Sequence, residues 1–459
     1  MTVFKPLSGD PSPLVDSSCD QYRELYGLLY SDACDAGPRA ETFLREQLNR
    51  AARLACDLPE EPAQLSSWAQ QHCADVAHDY ADYIEQRRQG AGRRYFQNKA
   101  HALYFLQRVA PTKEVDGAWL EGVVEHWQDY RFDGLLTTYL EELGKGDPRQ
   151  NHVVIYRQLL AEHDADDQQA LDDQHFVQGA IQLALGRCST HFMPEVIGYN
   201  LGYEQLPLHL LITAYELREL GIDPYYFTLH VTIDNVSSGH GRKAVQALLD
   251  LLPVEEGAEE FYRRVAQGYR LNDLGIGSTA VIEGFDLQRE VIAMLERKRS
   301  FGQHMHSDYC RLEGQTVNEW LSTPGKIEDF LQAMQHKGWI KRHRPPQESR
   351  FWQLIEGSTA AMFGVFSGYE KQLVHDWIAG EWQDPKKPPS PRRHHDSSEY
   401  ADDSWANDPE VMALQNTLRN QSPRQQLESL IPWLSAQRHC RPAGLYATRR
   451  FIELRAALR

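Results

Sequence analysis

Apolar positions along this chain recur every three or four residues over most of its length, the pattern of amphipathic helix. It is plain in "QYRELYGLLYSD", "RAETFLREQLNRAARLACDL" and "LSSWAQQHCADVAHDYADYIEQRRQ", all within 21–110. Few segments alternate apolar and polar with period two, so the pattern predicts an all-α fold. "APTKEVDGAWLEGVVEHWQDYR" is expected to open a further helix at Pro111 and Thr112. Residues 111–300 continue as long helices broken by Gly, Pro and Asp. There "FMPEVIGYNLGYEQLPLHLLITAYELRELGIDP" splits near Pro207 and stops at Gly221, and "YYFTLHVTIDNVSSGHGRKAVQALLDLLP" keeps helical periodicity through Leu252. Residues 1–20 read as a loose arm, 301–383 as a helical extension, 384–410 as a Pro-, Ser- and charge-rich linker, and 411–459 as a helical tail.

Charge narrows the partners. Lys and Arg number 48 against 65 Asp and Glu, a net charge of −17. An acidic chain without clustered cations offers no surface for nucleic acid or an anionic membrane. No run approaches the roughly 20 apolar residues of a membrane span. The start lacks the basic and apolar segments of a signal peptide. The seven cysteines are scattered and never form Cys-x-x-Cys, which disfavours both a zinc pattern and a disulfide framework. The expectation is a soluble, cytoplasmic protein acting on a small molecule, with a homodimer left open.

Candidate chemistry concentrates on three stretches between 139 and 245. They hold Glu142 and His152; Glu195, Glu204 and His209; and His230, Asp234 and His240. Mixed imidazole and carboxylate donors suit first-row metals, and helical bundles project such ligands inward from facing helices. His230 and Asp234 are separated by about 40° around an ideal helix and share a face, whereas His240 lies about 120° away and needs a local bulge to join them. Glu142 and His152 would stand roughly 80° apart on an unbroken helix, so unwinding at Gly144-Lys-Gly-Asp-Pro148 is what could bring them together. The same segment also reads as an ordinary interhelical turn, with Gly144 as C-cap, Asp147 as N-cap and Pro148 at the first helical position. Glu195 and Glu204 fall about 180° apart, so only one is expected to face the core. His209 points elsewhere and reads as a supporting or structural residue.

The order "E142-L-G-K-G-D-P-R-Q-N-H152", then "IGYNLGYE204", then His230-x3-Asp234 with a further histidine, resembles the haem-oxygenase-like diiron oxidases and oxygenases, in the iron-containing redox enzyme branch. The resemblance covers about 100–300 by its motifs. It implies a haem-oxygenase-like helical bundle with additional N- and C-terminal helices, binding two Fe(II) and using O2 as co-substrate. The implied ligands are Glu142, His152, Glu204, His230, Asp234 and His240. The chain departs from the family pattern in its Asp-x5-His spacing, where relatives have Asp-x2-His. Some relatives add a carboxylate upstream of the first motif, where Asp116, Glu114 and Glu121 lie. The implied reaction is N-oxygenation, oxidative decarboxylation or C–C cleavage of a small amino-acid-derived substrate in secondary metabolism, with a cysteine-derived, metal-chelating thiohydroxamate as one product class. Arg187, Arg242 and Lys243 are the cations nearest the ligand stretches that could hold such a substrate. His304 and His306 form a separate pair. Two rival readings keep the helices but not the metal: a metal-independent small-molecule enzyme, and a non-catalytic interaction protein.

Overall fold

The computed structural model describes residues 20–31, 36–233, 239–303, 306–307, 309–356, 362, 364–382, 405 and 407–459. Among them regular structure is helical, apart from one two-residue antiparallel pair, Arg311–Leu312 against Gln315–Thr316. This is the all-α fold that the spacing of apolar residues predicts, consistent with a haem-oxygenase-like bundle.

Burial of the apolar faces produces two cores rather than one. The first gathers residues from 22–69, 115–143, 171–201, 244–271 and 414–454, around Trp119, Tyr139, Tyr199 and Phe451. The second gathers 96–110, 155–165, 210–227 and 281–378, around Phe105, Tyr156, Tyr226 and Trp377. The cores interleave along the chain, so neither corresponds to one continuous segment. Helix Lys99–Lys113 runs across the 110/111 boundary read from the sequence. Its start is set by Asn98, whose side chain accepts from His101 N–H at 2.9 Å.

Three helix boundaries differ from the sequence reading. Pro111 does not open a helix. It lies in the last turn of Lys99–Lys113, and the chain then passes into the 3-10 segment Ala118–His126. The buried run 100–107 continues the earlier helix past the proline signal, a case of packing overriding propensity. Pro148 does not open one either: the next helix is His152–Ala161, capped by Asn151, and Asp147 instead accepts from Arg149 N–H in a local turn. The stretch read as helix through Leu252 is two helices, Tyr225–Ile233 and His240–Leu251.

The C-terminal helix Pro442–Leu458 closes over the turn Gly144–Gly146. A Cβ on Gly146, whose φ is +82°, would meet Leu445 O at 2.5 Å, so the turn and this helix touch backbone to backbone. Tyr139 O–H also donates to Leu434 O. The tail is therefore part of the wall behind residues 142–152.

Candidate metal centre

Five of the chemistry-bearing side chains arrive from helix ends, not from helix faces. Glu142 is the last residue of Asp133–Glu142, and His152 is the first of His152–Ala161. Glu204 caps the C-terminus of Ser189–Tyr203, and His240 begins His240–Leu251. His230 sits in the last turn of Tyr225–Ile233. Angles counted on an unbroken helix therefore do not govern Glu142 against His152 or His230 against His240, because the chain turns between them. The segment 144–148 is a turn and also the device that joins two candidate ligands. Gly144, at φ +62°, allows this, since a Cβ there would lie 2.3 Å from the backbone nitrogen of Asn151.

Asp116 joins the cluster from the residues after Lys99–Lys113. Its neighbour Gly117, at φ +82°, lets the chain pass so close to Glu142 that a Cβ would sit 2.9 Å from Glu142 Cβ. Of the three upstream carboxylates, only Asp116 faces the centre. Glu114 accepts from Gln168 at 2.8 Å, and Glu121 accepts from Ala436 N–H at 3.0 Å.

Two groups of ligand atoms result, all buried: Asp116, Glu142, His152 and His230 in one, and Glu142, Glu204 and His240 in the other. Within each group one donor atom per residue lies within 4.8 Å of the rest, a span that fits a single cation. Glu142 belongs to both. Its Oε2 is 2.5 Å from His152 Nδ1, and its Oε1 is 3.4 Å from His240 Nδ1. His152 Nδ1 also lies 3.6 Å from Asp116 Oδ2. The rings of His152 and His230 are 4.3 Å apart, centroid to centroid.

For His230 and His240, surrounding acceptors select which ring nitrogen can bind. His230 Nδ1–H donates to Tyr226 O at 2.7 Å, leaving Nε2 toward Asp116 Oδ2 at 3.3 Å. His240 Nε2–H donates to Glu141 Oε2 at 2.8 Å, leaving Nδ1 toward Glu204 Oε2 at 3.0 Å. Glu141 is itself held by Lys243 and Lys145, at 2.5 and 3.1 Å. Outer acceptors of this kind orient metal-binding imidazoles in general. Tyr203 and Tyr226 O–H donate to the two oxygens of Asp116 at 2.7 and 2.6 Å.

The residues fit a cation. Glu142 Oε2 and His152 Nδ1 are buried and close, yet neither has an aligned hydrogen bond. Three carboxylates withdrawn from water together are costly unless positive charge neutralises them. Without a metal, part of that charge comes from protons. Burial would lower the His152 imidazole, but Glu142 and Asp116 raise it to about 10. Burial would raise the Asp116 carboxyl, but Lys113, His152 and His230 hold it well below the usual carboxylate range.

The remaining sequence candidates lie elsewhere. Glu195 is as buried as Glu204, so the expectation that only one faces the core does not hold: Ser189–Tyr203 is packed on both sides. On the side opposite the centre, Glu195 pairs with Arg264 through two 2.7 Å contacts. His209 is half-buried and outside both groups, its imidazole pushed down to about 4 by burial and by Lys113. Asp234 and His304 lie outside the described residues. His306 is far along the chain in a half-buried position bonded to Asn318. Sequence reasoning missed Glu141, Lys113, Asn151 and His439. Asn151 Nδ2 lies 3.2 Å from Leu143 O and 3.0 Å from Nδ1 of the buried His439, tying the tail to the residue before His152. Only the Glu141–Glu142 doublet carried a sequence signal, since adjacent carboxylates at a helix end point in different directions.

The protein is all-α, and its buried, doubly grouped set of carboxylates and imidazoles could hold metal ions. Residues 103–273 match the family model described as iron-containing redox enzyme. No curated protein and no solved structure matches the chain. No helix among the described residues is long and apolar enough to cross a membrane.

Proposed function

We propose that the centre holds two Fe(II) ions and that the protein is an O2-dependent, non-haem diiron oxidase or oxygenase. The observation that carries this is Glu142, a single carboxylate contributing an oxygen to each of two ligand groups. Asp116, His152 and His230 would hold one ion, Glu204 and His240 the other, and Glu142 would bridge them. Two adjacent ferrous ions supply electrons for the reduction of O2 coupled to oxidation of a bound substrate. The protein contributes neutral imidazoles in fixed orientation, through Tyr226 O and Glu141, and a buried site that excludes bulk water.

The substrate in this reading is a small amino-acid-derived molecule, undergoing N-oxygenation, oxidative decarboxylation or C–C cleavage in secondary metabolism. That choice rests on the resemblance of the Glu142–His152 and Glu204 motifs to diiron relatives. The five described cysteines, all free, suit work in a reducing cytoplasm. The test is anaerobic loading with ferrous iron followed by metal analysis, then a screen of amino-acid-derived compounds for substrate-triggered O2 consumption. Two irons per chain and a compound that accelerates O2 uptake support the reading. A chain that takes up no iron refutes it.

A further inference from the structure

Lys113, the last residue of Lys99–Lys113, makes no direct ion pair among the described residues, and its charge reaches the Asp116 carboxylate only across Tyr203. Its Nζ donates to Tyr203 Oη at 2.8 Å, and Tyr203 in turn donates to Asp116 at 2.7 Å, so the ammonium stands one phenol away from the ligand cluster. Among the described residues no carboxylate lies within ion-pair distance of it. An ammonium has three donors, and here one is used. The rings of Tyr203 and Tyr226 lie 5.0 and 5.8 Å away and offer it only their faces. His209 brings no negative charge. Of the cations anticipated from the sequence, Lys243 is committed to Glu141, and Arg187 donates to Leu29 O at 3.2 Å.

Position favours a binding role. The ligands are buried, but Lys113, Tyr203 and His209 are each half-buried, so the cluster approaches solvent on this side. The opposite wall is closed by buried Asn151, His439 and Tyr139. Charge points the same way. Among the described residues, Asp116, Glu142 and Glu204 against two divalent ions leave the loaded centre one charge positive, and Lys113 adds a second. Glu141 is matched by Lys243 and by the more exposed Lys145.

We propose that Lys113 binds the anionic group of the substrate, a carboxylate, so that this centre selects small organic acids over their neutral counterparts. The proposal rests on the two-iron reading. Lys113 then acts as a specificity-determining residue, donating its two remaining N–H groups to the carboxylate while the phenols of Tyr203 and Tyr226 hold Asp116 behind it.

The test uses the full chain loaded anaerobically with Fe(II), iron content being measured first. Hexanoate and its neutral analogue hexanamide are then titrated, with binding followed by the ferrous ligand-field bands. The parent is expected to bind hexanoate more tightly than hexanamide. Lys113→Met should keep two irons, lose about tenfold to hundredfold in hexanoate affinity and leave hexanamide unchanged, and Lys113→Arg should recover part of the loss. A Lys113→Met protein that keeps its iron and binds hexanoate like the parent overturns the proposal while the metal reading stands. A change in iron affinity alone, without a change in acid-over-amide preference, makes Lys113 a counter-charge for Asp116 and also overturns it. A parent protein that binds no iron overturns both.

Discussion

Two buried glutamates in this molecule have opposite surroundings. Glu216, fully buried in Leu208–Glu219, is satisfied at both oxygens. Oε1 accepts from Tyr83 O–H at 2.8 Å and Arg94 N–H at 2.5 Å, and Oε2 accepts from Tyr95 and Phe96 N–H at 3.0 and 2.9 Å. Every donor is neutral, and together they pin the loop before Lys99–Lys113 onto a helix far along the chain. Glu142 is nearly as buried, yet its Oε2 faces His152 Nδ1 without an aligned bond, and its other neighbours are carboxylates and imidazoles. Burial of a carboxylate thus says nothing by itself about chemistry. A ring of backbone donors marks an anchor, and a gathering of acceptors marks a place for a cation.

The widest break in this comparison comes from removing each glutamate. Glu142→Ala should abolish metal binding, from two ions per chain to none, because both groups lose a shared donor, while far-ultraviolet circular dichroism keeps its helical amplitude. Metal analysis after ferrous loading is the readout. Full retention of both ions would show that Glu142 does not bridge. Glu216→Ala should do the converse. Three backbone N–H groups and a phenol lose their acceptor, destabilising the fold by about 3–5 kcal/mol in urea denaturation, while the folded fraction still takes two ions per chain. If its stability matched the parent's, Glu216 would not be an anchor.

The fold class and the order of candidate ligands were legible because both are local. Helical periodicity shows in any short window, and Glu142, His152, Glu204, His230 and His240 stand in a spaced order along the chain. What escaped was produced by tertiary contact. Asp116 could not be chosen over Glu114 and Glu121 until Gly117 was seen to bring it against Glu142. The Glu216 anchor joins residues more than a hundred positions apart, with no sequence trace. Helix angles misjudged Glu195, because Ser189–Tyr203 is packed all round beyond its first turn, so residues 180° apart are both buried. The contribution of 431–459 to the wall behind His152, through His439 and the contact at Gly146, was invisible for the same reason.

Smaller changes sharpen the contrast inside the centre. Glu141→Ala removes the acceptor that orients His240 and leaves Lys243 and Lys145 facing the site uncompensated. It should weaken one of the two ions by about tenfold to hundredfold, as for outer ligands generally. Glu141→Gln, whose amide oxygen still accepts from Nε2–H, should lose less. Competition with a chelator would resolve a loss confined to one ion, and equal weakening of both would assign Glu141 to the whole cluster.

The finest contrast lies in the partner of Glu142, since the buried His152 beside it can carry a proton where Glu216 has only neutral donors. In the metal-free protein Glu142 and Asp116, against the opposing effect of burial, hold the His152 imidazole at about 10. A histidine raised in the folded state contributes stability that is complete below its unfolded value of about 6.5 and is lost as pH rises through about 10. Metal binding needs the neutral ring, so loading near neutrality must expel that proton, and affinity should rise by about tenfold per pH unit until about pH 10. The two trends have opposite signs: alkaline conditions weaken the empty protein and favour the filled one. Chelator competition between about pH 7 and 9 should therefore show a roughly hundredfold gain, with about one proton released per chain from His152. A flat profile, with no proton released, would mean that His152 is already neutral before the metal arrives and that the empty cluster carries its excess negative charge in some other way.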